Sequence, residues 1–142
     1  MKISAIMTSK PYVLSPEQTI AEAARLFLHQ QIDGAAVVNT QNELLGLVGK
    51  TQLYEALAAD TALKCPISKI MITDVITCRP DDDIDTIIDK DVSRLPVIEG
   101  GKVVGIVTFS DLIRHYHMEI KDLKNIKSMK EQLDAVFEAS FD

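Results

Sequence analysis

The hydrophobic and polar positions of the chain follow helical and strand periods in an order that occurs twice. In the first half, apolar residues recur at helical spacing over 20–28 after a Ser15-Pro16 start, which predicts a helix with one buried face and Pro in its first turn. Two short apolar runs, 35–38 and 44–48, flank a polar turn and predict a β-hairpin. A second helix is predicted over about 51–59.

The second half repeats this order. Residues 81–91 predict a short helix, and 95–98 and 103–107 predict hairpin strands around Gly100-Gly101. Ser110 or Asp111 is expected to begin the helix that follows. With a strand over each Ile-Met segment, each repeat predicts strand, helix, strand, strand and helix, so the fold class is α/β (α+β).

Aligning the halves shows which positions correspond. Residues 6–8 match 70–72 at an offset of 64, whereas 36–38 match 96–98 at an offset of 60. Four residues, about one helical turn, are therefore missing from the first helix of the second repeat. Gly46 matches Gly105, which places Gly49 opposite Thr108 and Gln52 opposite Asp111.

A duplicated supersecondary unit of this size needs its copy to bury its apolar face. We therefore predict two repeats, 1–64 and 65–117, packed with pseudo-twofold symmetry around a cleft. Clefts between packed units are common sites for small ligands.

The last segment, 118–142, has a different pattern. Its apolar residues are spaced three or four apart, Lys occupies many of the other positions, and neither Gly nor Pro interrupts it. This predicts a long amphipathic helix, which must bury its apolar stripe on the body or against a partner helix. The sequence leaves both alternatives open.

Composition narrows the class of protein. The chain has 142 residues, 46% hydrophobic and 25% charged, with a net charge of −6. This balance is globular, no apolar run is long enough for a membrane span, and the N-terminus lacks a secretory signal, so we expect a soluble cytoplasmic protein. The negative charge disfavours binding to nucleic acid. Cys65 and Cys78 lack metal-site spacing and are expected to be reduced and structural.

Catalytic motifs are absent from the sequence. The three histidines are His29, His115 and His117, and the last two are spaced so that a helix would point them to different faces. No Gly-rich phosphate loop, nucleophile elbow or HExxH motif occurs. We expect neither an enzyme nor a metal site.

Three groups of residues carry a family resemblance: Ile6-Met7-Thr8 ahead of a Pro, the Leu95-Pro96-Val97 strand, and the run from Gly105 to Leu112. Together they resemble a tandem pair of CBS domains, named after cystathionine β-synthase, over residues 1 to about 116. The resemblance implies a regulatory α/β module, often a homodimer, with AMP, ADP, ATP or S-adenosylmethionine as a possible ligand in the cleft.

Such a ligand suits the chemistry of the second repeat. A carboxylate at a helix start, Asp111, can accept hydrogen bonds from both ribose hydroxyls. Thr108 and Ser110 would add hydroxyl and backbone donors near a phosphate, which Arg94 could also reach. The family arrangement implies that Val75, Ile76, Thr77 and Pro96 surround the adenine.

Structural roles are the alternatives for these residues. Asp111 can be a helix cap, and Arg94 can pair with the acidic run 81–83. In the first repeat, Gly49 removes the hydroxyl and Gln52 replaces the carboxylate, while Lys50 is a possible phosphate ligand. We therefore predict one competent site and one degenerate site.

Residues 133–142 also resemble the opening of a PAS sensor domain. This implies that the chain is the N-terminal part of a longer signalling or transcription-regulatory protein, with 118–142 leading to an output domain. Two functions remain: a sensor of an adenosine-type ligand that signals through this helix, and a ligand-free dimerisation platform.

Overall fold

The computed structural model describes residues 1–85, 93–119 and 131, which form an α/β protein with two three-stranded sheets. The strands are β1 (Thr8–Ser9), β2 (Val13–Leu14), β3 (Gly34–Val38), β4 (Leu44–Gly49), β5 (Arg94–Glu99) and β6 (Lys102–Thr108). The three helices with described bounds are α1 (Ile20–Gln30), α2 (Lys50–Ala58) and α3 (Phe109–Glu119). Both predicted hairpins and the helix after each are confirmed.

The described residues divide into two compact units that do not coincide with the sequence repeats. Unit 1 consists of the described residues within Met1–Ser9, Ile76–Glu99 and Val104–Asp142, and unit 2 consists of Lys10–Val75 and Gly100–Val103. The first nine residues therefore belong with the second repeat. The repeat boundaries at residues 64 and 117 stay a prediction about the sequence.

The sheet of unit 2 has the strand order β2-β3-β4. Strand β2 runs parallel to β3, with Leu14 opposite Val37, and β3 and β4 form the antiparallel hairpin. A segment from the second repeat extends this sheet, because Leu47 and Ile72 exchange two backbone hydrogen bonds of 2.9 Å.

The sheet of unit 1 repeats this plan with the order β1-β6-β5. Here β1 comes from the first repeat and lies antiparallel to β6, with Thr8 opposite Ile106. On the other side, Cys78 forms a parallel bridge to Val97. Thr8 and Ile72 are 64 residues apart and occupy matching positions in the two repeats. We call residues 6–9 and 70–72 the leading segments of the first and second repeat. Each repeat therefore contributes its leading segment to the sheet that contains the hairpin of the other repeat.

The short 3-10 turns before these segments are anchored by matching hydrogen bonds. In unit 1, Ile3 N donates to Asp82 O at 2.9 Å and Ser4 N to Pro80 O at 3.0 Å. In unit 2, the residues 64 positions later make the corresponding bonds: Ile67 N donates to Gln18 O at 2.8 Å and Ser68 N to Pro16 O at 3.2 Å. The exchange of leading segments is therefore reciprocal and includes the turns.

Each unit has its own hydrophobic core, in which apolar residues of the hairpin meet those of the following helix. The buried core of unit 1 contains Ile3, Ile6, Cys78, Ile84, Leu95, Val97, Val107, Phe109 and Leu112. That of unit 2 contains Leu14, Ile20, Ala23, Phe27, Ala35, Val37, Val48, Leu53, Ala56 and Ile67. Both cysteines are free thiols, and Cys78 is buried.

A glycine marks the place where each leading segment lies on its sheet. A Cβ at Gly46 would lie 2.7 Å from both Ile72 O and Met71 Sδ, and one at Gly105 would lie 2.6 Å from Met7 Sδ. Such distances are too short for a real Cβ, so any larger residue would require the neighbouring atoms to shift. Met7 and Met71 pack against the cores of their units, where flexible methionine side chains fill gaps.

The predicted start of the first helix is wrong. The helix begins at Ile20, and its N-cap is Thr19, whose Oγ1 accepts from Glu22 N at 3.1 Å. Ser15 and Gln18 instead form a turn in which Ser15 N donates to Gln18 Oε1 at 2.9 Å. The Thr-x-x-Glu pattern satisfies the free amides of a helix N-terminus, which Pro16 does not do.

Two predictions fall wholly or partly outside the described residues. The shorter helix predicted over 81–91 is seen only at Ile84 and Asp85, which are helical. The predicted helix over 118–142 is described only at 118–119, where it continues α3, and at Glu131. The PAS-like segment 133–142 lies outside the described residues.

Candidate functional site

The N-terminus of α3 is held by a reciprocal pair of hydrogen bonds between Thr108 and Asp111. Thr108 N donates to Asp111 Oδ2 at 2.9 Å, and Asp111 N donates to Thr108 Oγ1 at 3.3 Å. Thr108 Oγ1 also lies 3.1 Å from Asp111 Oδ2. This is a capping box with Thr108 as the N-cap. The helix therefore begins at Phe109, before the predicted Ser110 or Asp111, because the threonine supplies the cap.

Asp111 is the one buried polar or charged residue among those that the structure describes, with 8% of its surface exposed. Its two carboxylate oxygens have different surroundings. Oδ2 accepts both bonds from Thr108, whereas Oδ1 lies 3.4 Å from a guanidinium nitrogen of Arg114. A carboxylate offers about four acceptor positions, so Oδ1 retains capacity for a further donor.

The start of β5 lies beside this helix end. Phe109 N donates to Ser93 O at 3.3 Å, which brings the residue before Arg94 to the first turn of α3. Arg94 is the first residue of β5 and is partly buried. The fold therefore brings Thr108, Asp111 and the backbone of Arg94 into one region of unit 1.

Part of the acidic run offered as an alternative partner for Arg94 has other contacts. Asp81 pairs with Lys2 at 3.5 Å, and Asp83 lies 3.8 Å from the N-terminal amine. Asp82 Oδ2 accepts from Arg79 N at 2.9 Å. The contacts of Asp81 and Asp83 anchor the N-terminal segment of unit 1 to the acidic run.

The residues predicted to surround an adenine lie along the other side of β5. Cys78 N donates to Pro96 O at 3.1 Å, and Ile98 N donates to Cys78 O at 2.8 Å, so Thr77 and Ile76 lead directly into this pairing. Ile76 is 47% exposed, whereas Pro96 is fully buried. The backbone of Pro96 is thus part of the sheet, and Ile76 offers an accessible apolar surface.

Two further predicted residues are Val75 and Ser110. Val75 precedes Ile76 in the chain but belongs to unit 2. Ser110, in the first turn of α3, has an exposed side chain.

The corresponding position in unit 2 has the same backbone and different side chains. Gly49 N donates to Gln52 Oε1 at 2.7 Å, and Lys50 N donates to Asp33 O at 3.1 Å. These bonds match those of Thr108 with Asp111 and of Phe109 with Ser93, which confirms the predicted alignment of Gly49 with Thr108 and of Gln52 with Asp111. Because Gly49 has no side chain and Gln52 is neutral, this helix end lacks both the hydroxyl and the carboxylate.

The capping role proposed for Asp111 is confirmed by this geometry. A cap of this kind contributes about 1 kcal/mol and needs no ligand. The sequence did not single out Arg114, although its position three residues after Asp111 puts both side chains on one helix face.

Neither a metal cluster nor a spanning helix occurs in the part of the chain that the structure describes. In those residues, no three His, Cys, Asp or Glu side chains are grouped to hold a metal ion. No described helix combines the length and the apolar character needed to cross a membrane.

Comparison with known proteins identifies the class of this module. The family model described as CBS domain matches residues 3–59 and 67–118. The chain therefore belongs to the CBS domain family and carries a tandem pair of these domains, as the sequence motifs predicted. The two matched ranges correspond to the two repeats.

Two curated relatives illustrate where such pairs occur. An uncharacterized 17.7 kDa protein of Acidianus ambivalens is 33% identical over 118 residues, which cover 80% of this chain and 71% of that protein. A homoserine O-acetyltransferase of Methanohalobium evestigatum is 31% identical over 117 residues, covering 79% of this chain but only 23% of the enzyme. The chain thus matches a minor part of that longer relative.

A solved structure gives the same fold with ligands. The CBS domain pair of protein MJ0100, in complex with 5′-methylthioadenosine and S-adenosyl-L-methionine, is 28% identical. It superposes with a TM-score of 0.76, covering 82% of this chain and 96% of that chain. That relative binds adenosine derivatives.

Proposed function

We propose that this CBS pair is a regulatory module that binds an adenosine-type ligand in unit 1, with the ribose at the N-terminus of α3. The observation that carries the proposal is the Asp111 carboxylate, which is buried, fixed by its cap, and able to accept further bonds at Oδ1. The adenosine derivatives bound by the CBS pair of protein MJ0100 support this choice of ligand class.

The recognition chemistry follows from Oδ1 of Asp111, the carboxylate oxygen that the capping box leaves available. A ribose presents two adjacent hydroxyl donors, and hydrogen bonds to a charged acceptor contribute about 1.5–3 kcal/mol each. The capping box holds Asp111 in one geometry before the ligand arrives, so little side-chain entropy is lost on binding. Thr108 Oγ1, at the same helix end, supplies a second polar contact.

Unit 1 is the better candidate because its counterpart in unit 2 lacks the charge. Gln52 accepts from Gly49 N in the position where Asp111 accepts from Thr108 N. A neutral amide forms weaker bonds to hydroxyls than a carboxylate does. We therefore assign the competent site to Thr108 and Asp111, and Lys50 and Gln52 to a degenerate site.

Isothermal titration of Asp111→Asn with AMP, ATP, 5′-methylthioadenosine and S-adenosylmethionine tests this function. The asparagine oxygen still accepts from Thr108 N, so the cap survives while the charge is lost. We expect affinity to fall about 10- to 100-fold, the equivalent of about one charge-assisted bond, with the melting temperature of the free protein nearly unchanged.

Gln52→Ala is the matched control, since it removes the corresponding capping bond in unit 2. It should lower stability slightly and leave ligand affinity within twofold. The proposal fails if the wild-type protein binds none of the four compounds, or if Asp111→Asn and Gln52→Ala change affinity equally.

Ligand occupancy would regulate an output domain through the segment that follows α3 in the chain. A ligand shifts such an equilibrium only if it binds two arrangements with different affinity. Asp111 lies in the first turn of α3, and residues 118–142 begin at the other end of this helix. A ligand that bonds to the Asp111 carboxylate could therefore change the position of this segment by shifting α3. The signalling partner, in this proposal, is a domain following in the same chain.

A homodimerisation platform is the second candidate function, and exposed apolar residues in unit 2 favour it. Leu28 is 77% exposed on α1, and Tyr54 and Leu57 are 62% and 55% exposed on α2. Tyr54 and Leu57 lie three residues apart on α2, and large exposed apolar side chains grouped in this way are typical of interfaces. Light scattering of wild type and Leu57→Asp tests this function. A wild-type dimer that becomes a monomer in Leu57→Asp supports the platform, and an unchanged mass shows that Leu57 is not at a dimer interface.

A further inference from the structure

Arg114 lies next to the oxygen of Asp111 that the capping box leaves available. Its guanidinium nitrogen is 3.4 Å from Oδ1, and its side chain is 73% exposed, whereas the carboxylate is only 11% exposed. With the guanidinium largely in solvent, this single 3.4 Å contact holds the arginine only weakly. The arginine is therefore easily moved, while the carboxylate is fixed.

A ribose that reaches Asp111 must donate to Oδ1, because Oδ2 already accepts two bonds from Thr108. Arg114 then has to share Oδ1 or move away from it. In either position its charge stays close to the ligand, because both side chains are on one face of α3, three residues apart.

We infer that Arg114 is a specificity-determining residue that selects phosphorylated adenosine nucleotides over uncharged or cationic adenosine derivatives. This inference rests on the proposed function and names the ligand class of the same site. A guanidinium forms charge-assisted, often bidentate bonds with a phosphate. It offers nothing comparable to the thioether of 5′-methylthioadenosine and repels the sulfonium of S-adenosylmethionine.

The position of the helix end strengthens this selection. Arg114 lies one turn inside the N-terminus of α3, where the helix dipole favours a negative group, and Arg94 begins the adjacent strand. A phosphate placed there would meet positive charge from the helix end and from the guanidinium of Arg114. 5′-Methylthioadenosine, which has no anionic group, would compete with Arg114 for Oδ1 without this compensation.

Titration of wild type and Arg114→Ala with AMP and with 5′-methylthioadenosine tests the inference. These ligands share the base and the ribose hydroxyls and differ in the phosphate. We expect wild type to bind AMP more tightly, and Arg114→Ala to weaken AMP about tenfold while 5′-methylthioadenosine binds as well or slightly better. Arg114→Lys should keep part of the preference for AMP, because it keeps the charge but loses the planar fork.

Arg25→Ala is the matched control: it removes an exposed helical arginine from α1 in unit 2 and should leave both affinities unchanged. If Arg114→Ala weakens both ligands equally or neither, or if wild type prefers 5′-methylthioadenosine, the inference is overturned while the proposed function stands. If wild type binds neither of these ligands, nor ATP or S-adenosylmethionine, the proposed function itself fails. A circular-dichroism melt of Arg114→Ala confirms that its fold is intact.

Discussion

Gly46 and Gly105, which lie under the two leading segments, are predicted to respond differently to substitution by alanine. In Gly46→Ala, the new Cβ meets the backbone oxygen of Ile72 at 2.7 Å. That oxygen accepts from Leu47 N at 2.9 Å, so it cannot retreat without weakening the pairing. In Gly105→Ala, the nearest atom is the flexible sulfur of Met7 at 2.6 Å.

The expected magnitudes follow from these contacts. Overpacking costs about 1–3 kcal/mol, and weakening the two hydrogen bonds between Leu47 and Ile72 adds about 0.5–1.5 kcal/mol for each bond that is lost. We expect Gly46→Ala to lower the free energy of unfolding by about 2–4 kcal/mol. Gly105→Ala should lower it by about 1–2 kcal/mol, because Met7 can change rotamer and Thr8 O is 3.0 Å away.

Urea unfolding followed by far-ultraviolet circular dichroism measures both values. A double-mutant cycle adds a second readout: Met7→Ala should relieve Gly105→Ala, whereas Met71→Ala should relieve Gly46→Ala much less, because the Ile72 carbonyl remains. If Gly105→Ala is as costly as Gly46→Ala, or if both cost less than about 0.5 kcal/mol, the close approach deduced for the leading segments is wrong.

Two further predictions concern a helix cap and the number of sites. Thr19→Ala removes the side-chain acceptor for Glu22 N and should lower the free energy of unfolding by about 0.5–2 kcal/mol, measured in the same urea titrations; an unchanged midpoint would show that Thr19 is not the operative cap. Calorimetric titration with AMP should give one site per chain, since Gln52 lacks the charge of Asp111, and two equivalent sites would contradict this.

The repeat made much of the fold predictable from the sequence. Alignment of the halves placed Gly49 with Thr108 and Gln52 with Asp111, and the matching hydrogen bonds confirm both pairs. The start of α1 was missed because Pro16 and Thr19 both offer helix-start signals, and only the threonine supplies an acceptor for the amides. The local sequence pattern predicts that a helix is present more reliably than it predicts the residue at which the helix begins.

The exchange of leading segments between the repeats could not be predicted from the sequence. Thr8 and Ile72 occupy the same place in their repeats, and the strands that could receive them carry equivalent glycines, Gly46 and Gly105. Periodicity therefore marks each segment as a strand without choosing its partner, because pairing depends on contacts distant in sequence. The candidate site was predictable at Thr108 and Asp111 from the repeat, whereas the sequence did not single out Arg114, because an i, i+3 spacing permits a contact without showing that it forms.

The reciprocal exchange also bears on how a duplicated chain of this kind can arise. Two separate copies of one repeat could satisfy the same pairing by donating their leading segments to each other, as in domain swapping. Joining the copies covalently turns that bimolecular association into an intramolecular one, with an effective concentration in about the millimolar range for a short linker. A chain cut between the repeats would therefore assemble only at sufficient protein concentration, whereas the fused chain completes both sheets at any dilution.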